Sequence, residues 1–426
     1  MAEHIFTGFG FGPIQSGLFA CQAAAGGNFA RIVIAEIDQV LVDAVRRNNG
    51  SFFVNVAGDS GIEVVRTDNV EMLNPTDADD RRALSEVLSQ STEIVTSLPS
   101  VAIYSAGGDN SVAAMIGQAL HRSTAPAVLI YTAENNNHAA EILSEQVAKQ
   151  QPGSARCPVQ YLNTVIGKMS QVVTNPDRIA EMKLTPIVPG LDRAFLVEQF
   201  NRILVTRCVL DGFRPGIEVF IEKDDLLPFE EAKLYGHNAI HAMLSYLGAF
   251  TGRTRMTEIK DDHAVMQIAR SAFLDESGAA LIDKYADMGD ELFTESGYRA
   301  YAEDLLERMT NPYLQDTIAR SGRDVVRKLG YSDRIFGTMA LALEHGIEPV
   351  NMAVGALAGV AALAEPLWNE QLPDNITPAA WPDLDDTQVR KLLESLWQGQ
   401  SDRYTDRLME LTCRARSRLA KLTTGH

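Results

Sequence analysis

Cysteine and positive charge are both scarce in this 426-residue chain. Its four cysteines, Cys21, Cys157, Cys208 and Cys413, lie far apart and form no Cys-x-x-Cys pair. That spacing argues against a disulfide framework and against a cysteine-based zinc site, and it fits a reducing compartment. The formal net charge is −18 at pH 7. Such an excess of negative charge argues against binding to nucleic acid or to an anionic membrane surface.

Long apolar runs and a targeting pattern are also missing. No apolar run reaches about 18 residues, the length that a transmembrane helix needs. The opening MAEHIFTGFGFG starts with a strand and lacks the pattern of a signal peptide. These features predict a cytoplasmic protein with no membrane segment. The 46% of hydrophobic residues suffice for the cores of two or three domains.

Strand and helix signals alternate through the first part of the chain. The strand patterns are HIFTGFG, RIVIAEI, EIVTSLP and PAVLIYTAEN, followed later by LVEQFNRILVTR and GIEVFIEK. Strands alternating with helices predict a parallel sheet wound by crossovers, whereas nearly everything from Pro228 onward is helical. We therefore predict a Rossmann-type α/β dinucleotide-binding domain over 1–190, a mostly α-helical substrate domain over 191–380, and a helical extension over 381–426.

A glycine-rich turn, GFGFGPIQSG, follows the first strand and opens a helix. Glycines at this place in a βαβ unit let backbone N–H groups approach a pyrophosphate at a helix N-terminus. The match is degenerate because Gln15 stands where a third glycine is usual. The predicted coenzyme contacts are Gly10, Phe11, Gly12, Ile14 and Gly17. The alternative is a strand-to-helix turn that binds nothing.

Glu36 ends the second strand, about two dozen residues after the glycine turn. An acidic residue there accepts hydrogen bonds from the adenosine ribose of NAD and repels the 2′-phosphate of NADP. The sequence therefore predicts NAD as the cofactor. The alternative is a solvated strand end or a cap for the next helix.

The stretch KLYGHNAIH carries a group of polar side chains that runs into an apolar helix. Oxidising an alcohol with NAD also requires a base for the hydroxyl proton. No tyrosine has a lysine four residues on, whereas burial at the edge of an apolar helix lowers a lysine pKa, so Lys233 is a candidate base. At about 100° per residue Asn238 and His241 lie on the same side, where they can bind the reacting oxygen. Two alternatives stay open, a zinc site at His237 and His241 and a purely exposed polar face.

Together these stretches resemble the polyol-specific long-chain dehydrogenases, the mannitol dehydrogenase family, and most closely its mannitol-1-phosphate 5-dehydrogenase branch. The family has a lysine, an asparagine five residues later and a histidine eight residues later, matching Lys233, Asn238 and His241. GFGPIQSGLF, IVIAEIDQVLVDAV, IVTSLPSV, FLVEQFNRILV and SDRIFGTMALALEHGI are similar to other family stretches. The resemblance implies that the lysine is the general base and that the asparagine and histidine bind the reacting oxygen. It also implies that Asn135, in IYTAENN, binds that oxygen.

The chain departs from the family pattern in a few places. Gln15 and Ser16 replace a glycine and an arginine in the glycine turn, and Gly167 and Lys168 replace an Asp-Arg pair. His237 stands where the family usually has an apolar residue. The extension from about residue 380 is not clearly matched.

Basic residues are concentrated in ARSGRDVVRKLGYSDR. Such a cluster can hold a substrate phosphate by charge-assisted hydrogen bonds. The predicted contacts are Arg323, Arg327 and Lys328, with the two arginines on one helix face. The alternative is a solvated helix face that forms salt bridges with nearby aspartates.

The residue patterns predict an NAD-dependent, metal-independent oxidoreductase, and the resemblance implies that it interconverts a polyol, or polyol phosphate, and its ketose. We expect a monomer or small homo-oligomer. Three alternatives remain, namely a free-polyol or sugar-acid (uronate) dehydrogenase of the same family, a β-hydroxyacid dehydrogenase, and a non-catalytic NAD-sensing protein. The β-hydroxyacid enzymes usually place the asparagine three or four residues after the lysine rather than five.

Overall fold

A computed structural model describes residues 4–151, 153, 155–368, 372–373 and 377–423. The chain forms two compact units, Met1–Leu227 and Pro228–His426. Residues 369–371 and 374–376 lie outside the described residues, as do residues 1–3, before the predicted first strand, and residues 424–426 of the predicted extension. Within the described part of the chain, every helix is too short or too polar to traverse a bilayer.

The first unit is an α/β unit in which two sheets are resolved among the described residues. Its strands are β1 (His4–Phe9), β2 (Phe29–Ala35), β3 (Phe52–Ala57), β4 (Ile62–Thr67), β5 (Val70–Leu73), β6 (Glu93–Thr96), β7 (Val128–Thr132), β8 (Val159–Val165), β9 (Ser170–Val173), β10 (Ala194–Glu198), β11 (Leu204–Thr206) and β12 (Ile221–Lys223). The larger sheet has the order β12-β11-β8-β7-β6-β1-β2-β5, and the smaller has the order β4-β3-β10-β9. From β5 to β8 every pairing in the larger sheet is parallel. The predicted wound parallel sheet is therefore confirmed.

Helices cover both faces of the larger sheet. A π-helical segment, π1 (Gln15–Ala20), leads into α1 (Cys21–Gly26), and the other helices of this unit are α2 (Gln39–Arg47), α3 (Ala78–Leu88), α4 (Val112–His121), α5 (Ala139–Gln150) and α6 (Pro176–Glu181). Ile32 and Ile34 of β2 pack into one core together with the smaller sheet and π1, whereas Val33 faces a second core under α3, α4 and α5. Both faces of the strands are thus buried, as their continuous apolar sequences require.

The predicted domain boundary at residue 190 is wrong, because residues 191–227 belong to the first unit. β10 pairs with β3 and β9 in the smaller sheet, whereas β11 and β12 extend the larger sheet beside β8. The single strand pattern LVEQFNRILVTR is therefore two strands in different sheets. Local apolar patterning marks a strand but does not say which sheet it will join, since that depends on partners elsewhere in the chain, such as β3, which precedes β10 by more than a hundred residues.

The second unit is helical. Its α-helices are α7 (Leu227–Glu231), α8 (Ala239–Phe250), α9 (His263–Ser271), α10 (Ala279–Lys284), α11 (Glu295–Met309), α12 (Ile318–Gly322), α13 (Val325–Lys328), α14 (Phe336–Glu344), α15 (Met352–Ala362), α16 (Asp386–Trp397), α17 (Thr405–Arg414) and α18 (Arg416–Lys421). Two π-helical segments join neighbouring helices, π2 (Ala232–Asn238) between α7 and α8 and π3 (Ala272–Gly278) between α9 and α10. α8 and α15 are almost wholly apolar and pack against each other at the centre of this unit.

Candidate active site

Lys233 lies in π2, a widened turn inside a longer helix. A side chain at Gly236 would meet the Tyr298 hydroxyl at 2.8 Å and the Phe273 ring at 2.9 Å, so only glycine allows this close approach. π-helical turns of this kind are rare and occur often at functional sites. The regular α-helix expected from the sequence is therefore wrong over these seven residues.

Hydroxyl groups stabilise the widened turn from neighbouring helices. The backbone carbonyl of Tyr235 accepts hydrogen bonds from Ser277 Oγ at 2.8 Å and from Thr338 Oγ1 at 3.1 Å. Ser277 lies in π3 and Thr338 in α14, so two separate elements hold the π2 backbone. A carbonyl satisfied in this way does not need a regular intrahelical partner.

The π geometry gives a reason for the five-residue spacing of Lys233 and Asn238. In a regular α-helix two residues five apart would point about 140° away from one another. A π-helix bonds residue i to residue i+5, so such residues lie close along one side. The neighbouring rings of His237 and His241 have centroids 6.2 Å apart. The widened turn, rather than regular helical spacing, is therefore what would bring Asn238 to the side of Lys233.

Lys233 is half-buried and its electrostatic surroundings favour the neutral amine. Burial, followed by repulsion from Arg334, lowers the pKa of Lys233 to about 8, against an opposing attraction from Glu230. Glu230 is itself buried in α7. A lysine with this pKa is partly deprotonated near neutral pH, which is the requirement for a general base.

His237 is 6% exposed and lies among positive groups. Burial, followed by repulsion from His241, Arg308 and Lys233, lowers the pKa of His237 well below its usual value, so this imidazole is neutral at pH 7. Among the described residues, no group of three or more His, Cys, Asp or Glu side chains is arranged to hold a metal ion.

Asp316 faces His241 from the neighbouring segment before α12. Its Oδ2 lies 3.6 Å from Nε2 of His241, and Arg320 holds the carboxylate through two hydrogen bonds of 2.8 Å. Burial raises the pKa of Asp316, but the interactions with His241 and Arg320 outweigh it and lower the pKa overall. Asp316 is therefore a buried anion that can orient the His241 ring.

The predicted pairing of Arg323 and Arg327 on one helix face is wrong. The helix breaks after Gly322, because Arg323 is extended and Asp324 adopts a left-handed conformation with φ +60°. Arg327 is exposed and forms ion pairs with Asp324 and Asp333 at 3.3 and 3.2 Å. For Arg327, the alternative of a solvated face with salt bridges to aspartates is confirmed.

Lys328 and Arg334 are the buried cations of this region. Lys328 is 5% exposed and donates to the Ser321 carbonyl at 2.6 Å, while Arg334 is 8% exposed and donates from Nε to Asp333 at 2.8 Å. Burial, followed by repulsion from Arg334 and Arg327, lowers the pKa of Lys328 to about 7. An anion placed near these groups would relieve their mutual repulsion.

In the first unit, the glycine turn approaches the end of β6 closely. Gly10 has φ +83°, and a side chain there would lie 2.6 Å from the Ser97 carbonyl, so both the conformation and the space demand glycine. A side chain at Gly12 would meet no protein atom within 4 Å. The turn is therefore tight beneath Gly10 and open beside Gly12, as a cradle for a pyrophosphate requires.

Glu36 ties the glycine turn to the end of β2. Its two carboxylate oxygens accept hydrogen bonds from the backbone N–H of Phe11 at 2.7 Å and of Asp38 at 2.9 Å. The cap of α2 is Asp38 itself, which accepts from the backbone N–H groups of Val40 and Leu41. A carboxylate has about four acceptor positions, so Glu36 keeps capacity for ribose hydroxyls.

Gln15 occupies the place of the third glycine, and Gly8 makes room for it. A side chain at Gly8 would lie 1.7 Å from Gln15 Nε2 and 2.8 Å from Ile34 Cδ1. Gln15 is fully buried, and the absence of a side chain at Gly8 in β1 leaves the space that the Gln15 side chain fills.

Gly17, predicted as a coenzyme contact, is instead a buried packing glycine, because a side chain there would meet Val197 and Val54 of the smaller sheet at 2.8 and 3.1 Å.

Asn135 is exposed and follows a rigid anchor at the end of β7. The buried Glu134 accepts hydrogen bonds from Leu98 N at 2.8 Å, from Thr96 Oγ1 at 3.0 Å and from the Tyr104 hydroxyl. The pKa of Glu134 is raised, because burial outweighs the opposing effect of these hydrogen bonds.

Lys168, one of the departures from the family pattern, is buried and donates to the carbonyls of Glu198 and Phe200, so it holds the backbone after β10.

The helical unit matches a known domain. Residues 225–367 match the model of the mannitol dehydrogenase C-terminal domain. The helical unit is thus similar to the C-terminal domain of mannitol dehydrogenases. The matched region contains Lys233, Asn238 and His241, together with Asp316 and Arg334.

Longer stretches of the chain are similar to polyol dehydrogenases. The chain is 27% identical over 352 residues to a mannitol-1-phosphate 5-dehydrogenase of Buchnera aphidicola, covering 82% of this chain and 84% of that protein. The mannitol 2-dehydrogenase of Pseudomonas fluorescens, solved with NAD and D-mannitol, has a TM-score of 0.68 at 16% identity, covering 99% of this chain and 93% of that one. A D-sorbitol dehydrogenase has a TM-score of 0.75 at 15% identity, covering 98% and 93%. This chain therefore has the same fold as these two structures.

Sequence reasoning missed Asp316 and underrated Arg334. Asp316 precedes the Thr317 cap of α12 and lies 75 positions after His241, so no local spacing connects it to the histidine. Arg334 was visible only as one basic residue among several. Its burial, which separates it from the exposed Arg327, depends on packing that the sequence does not reveal.

Proposed function

We propose that this protein is an NAD-dependent, metal-independent oxidoreductase that interconverts a polyol, or a polyol phosphate, and the corresponding ketose. The observation that carries the proposal is the π-helical placement of Lys233 with Asn238 and His241, together with the lowered pKa of Lys233. Similarity to the mannitol dehydrogenase C-terminal domain and to a mannitol-1-phosphate 5-dehydrogenase supports the same reaction class.

The residues of the glycine turn fit NAD, which when bound accepts the hydride from the alcohol carbon. Gly10 and Gly12 permit close approach of the backbone, and Phe11 and Ile14 complete the turn. The half-buried Glu36 would accept the ribose hydroxyls and disfavour the 2′-phosphate of NADP. Gly17 is not part of this proposal, because its role is to pack π1 against the smaller sheet.

In oxidation, the neutral Lys233 amine takes the proton from the substrate hydroxyl as the carbonyl forms. Asn238 and His241 donate hydrogen bonds to the oxygen as it gains negative charge, and such preorganised donors stabilise it. The ionised Asp316 holds His241 in position. The resemblance to the family adds Asn135 as a further donor to the same oxygen.

An anionic group on the substrate would find Lys328 and Arg334 rather than the predicted Arg323 and Arg327. Buried cations interact with a phosphate more strongly than exposed ones, because less solvent screens them. The relative from Buchnera aphidicola is named for a phosphorylated polyol, which favours a phosphate at this place. The same two cations also suit a carboxylate, so a sugar-acid dehydrogenase of the same family is the second candidate.

A panel of polyols, polyol phosphates, sugar acids and 3-hydroxy acids with NAD, followed by NADH absorbance, tests the proposal. We expect turnover of a polyol phosphate or a polyol. Turnover of 3-hydroxy acids alone would identify a β-hydroxyacid dehydrogenase. Tight NADH binding with no hydride transfer to any ketose or ketose phosphate would identify an NAD-sensing protein.

Two further properties are part of the proposal. The acidic composition favours a small-molecule substrate, and the isolated cysteines favour action in the cytoplasm, as a monomer or small homo-oligomer. Cell fractionation and sedimentation of the purified protein test these two points.

A further inference from the structure

The C-terminal extension, residues 381–426, lies outside the matched family domain, yet it contacts the backbone next to Lys328. We call residues 328–334 the basic segment, since they join α13 to α14 and carry Lys328 and Arg334. Apart from Lys328, the last residue of α13, this segment consists of turns and bends. Its conformation therefore depends on contacts with other elements.

Trp397, the last residue of α16, makes the first of these contacts. It is 2% exposed, and its indole Nε1 donates to the Leu329 carbonyl at 3.1 Å. The Trp397 ring also packs edge-on against Tyr331 and Phe336, with centroids 5.0 Å apart in both cases. Trp397 thus contacts Leu329 near the start of the basic segment and Phe336, the first residue of α14, just after the segment ends.

Asp402 and Thr405 make the second contact. The Tyr331 hydroxyl donates to the Asp402 carboxylate and lies 3.0 Å from Thr405 Oγ1. Asp402 lies in the connection between α16 and α17, and Thr405 begins α17. The extension therefore holds the middle of the basic segment independently of Trp397.

We propose that the C-terminal extension positions the basic segment so that Lys328 and Arg334 meet the anionic group of the substrate. This inference rests on the proposed function for the role of the two cations. The extension would act through Leu329 and Tyr331 and would not touch the substrate itself. Its residues, with Trp397 foremost, are then positioning residues for substrate affinity.

The test uses Trp397→Phe, which keeps an aromatic ring but removes the indole N–H. Asp402→Ala, on the exposed connection, removes the second contact and serves if the first variant folds poorly. Leu419→Ala is the matched control, because Leu419 is buried in α18, which packs against α15. Each full-length variant is compared with wild type by amide hydrogen exchange of residues 328–335 and by kinetics with a polyol phosphate.

We expect faster exchange of the basic segment in Trp397→Phe and in Asp402→Ala, but not in Leu419→Ala. The KM for the polyol phosphate should rise about three- to tenfold, the range set by one lost neutral hydrogen bond, while kcat stays within about twofold. Unchanged exchange, unchanged KM, or the same changes in Leu419→Ala would overturn the proposal.

If the wild-type enzyme turns over no polyol phosphate, the proposal of a phosphorylated substrate is refuted. The proposal that the extension positions the basic segment is not refuted by that result. Calorimetric affinity for inorganic phosphate then decides the matter. Weaker binding in Trp397→Phe than in Leu419→Ala supports the role of the extension, and equal binding overturns it.

Discussion

Replacement of Lys233 by alanine should abolish most of the catalysis while leaving the coenzyme site intact. Loss of a general base lowers turnover by roughly 10²- to 10⁴-fold. The glycine turn and Glu36 belong to the first unit, so NADH affinity should stay close to that of wild type. The matched control is Lys260→Ala, which removes an exposed lysine of the second unit.

The lowered pKa of Lys233 sets the pH dependence of the wild-type enzyme. With a pKa of about 8, about one-tenth of this lysine is neutral at pH 7, against roughly one in 3,000 at the ordinary value of 10.5. Oxidation needs the neutral form, so kcat/KM should rise with pH up to about 8 and then level off. Reduction of the ketose needs the protonated form and should decline over the same interval.

Arg334→Gln provides a second perturbation of the same base. Repulsion from Arg334 contributes to the lowered pKa of Lys233, so removing this charge should move the rising limb of the oxidation profile to higher pH. Steady-state oxidation and reduction rates between pH 6 and pH 10 measure both effects, and protein fluorescence quenching measures NADH affinity.

Near-wild-type turnover of Lys233→Ala, or a profile with no inflection near pH 8, would refute the assignment of Lys233 as the base. An unshifted profile in Arg334→Gln would contradict the electrostatic link alone. Equal losses in Lys233→Ala and Lys260→Ala would point to general destabilisation.

Other predictions concern the coenzyme, the substrate anion, packing and metal ions. Glu36→Ser should relax the preference for NAD over NADP, and a wild-type preference for NADP would show that Glu36 is misassigned. Lys328→Met should raise the KM for a polyol phosphate ten- to a hundredfold, as expected for a lost charge-assisted hydrogen bond of about 1.5–3 kcal/mol. Arg327→Ala, which changes an exposed residue, should alter the same KM by less than about twofold. Equal effects of the two substitutions would contradict the argument from burial. Gly8→Ala should lower the free energy of unfolding in urea by about 1–3 kcal/mol. In the double variant Gly8→Ala/Gln15→Ala most of that loss should disappear, and additive free-energy losses of the two substitutions would disprove their steric coupling. Exhaustive chelation should leave turnover unchanged, and restoration of lost activity by zinc would revive the zinc alternative.

Much of the fold follows from local patterns in the sequence. Continuous apolar strands such as β2 and β7 predicted a parallel sheet. The domain boundary could not be found in this way. β10, β11 and β12 look like any short strands, and only their pairing with β3, β9 and β8 assigns them to the first unit.

The candidate base was also within reach of the sequence, since Lys233, Asn238 and His241 are close in the chain and share a local helix. Asp316 was not, because it reaches His241 only through the packing of a distant segment against α8.

The sequence by itself determined the order of strands and helices, the glycine turn and the spacing of the Lys-Asn-His group, because each depends on residues within one or two helical turns. Only the tertiary structure decided that Lys233 lies in a π-turn held through the Tyr235 carbonyl by Ser277 and Thr338. It also decided that Lys328 and Arg334 are buried whereas Arg327 is solvated. The physical reason is that burial and a satisfied carbonyl depend on groups from other elements, and their proximity is set by packing rather than by spacing along the chain.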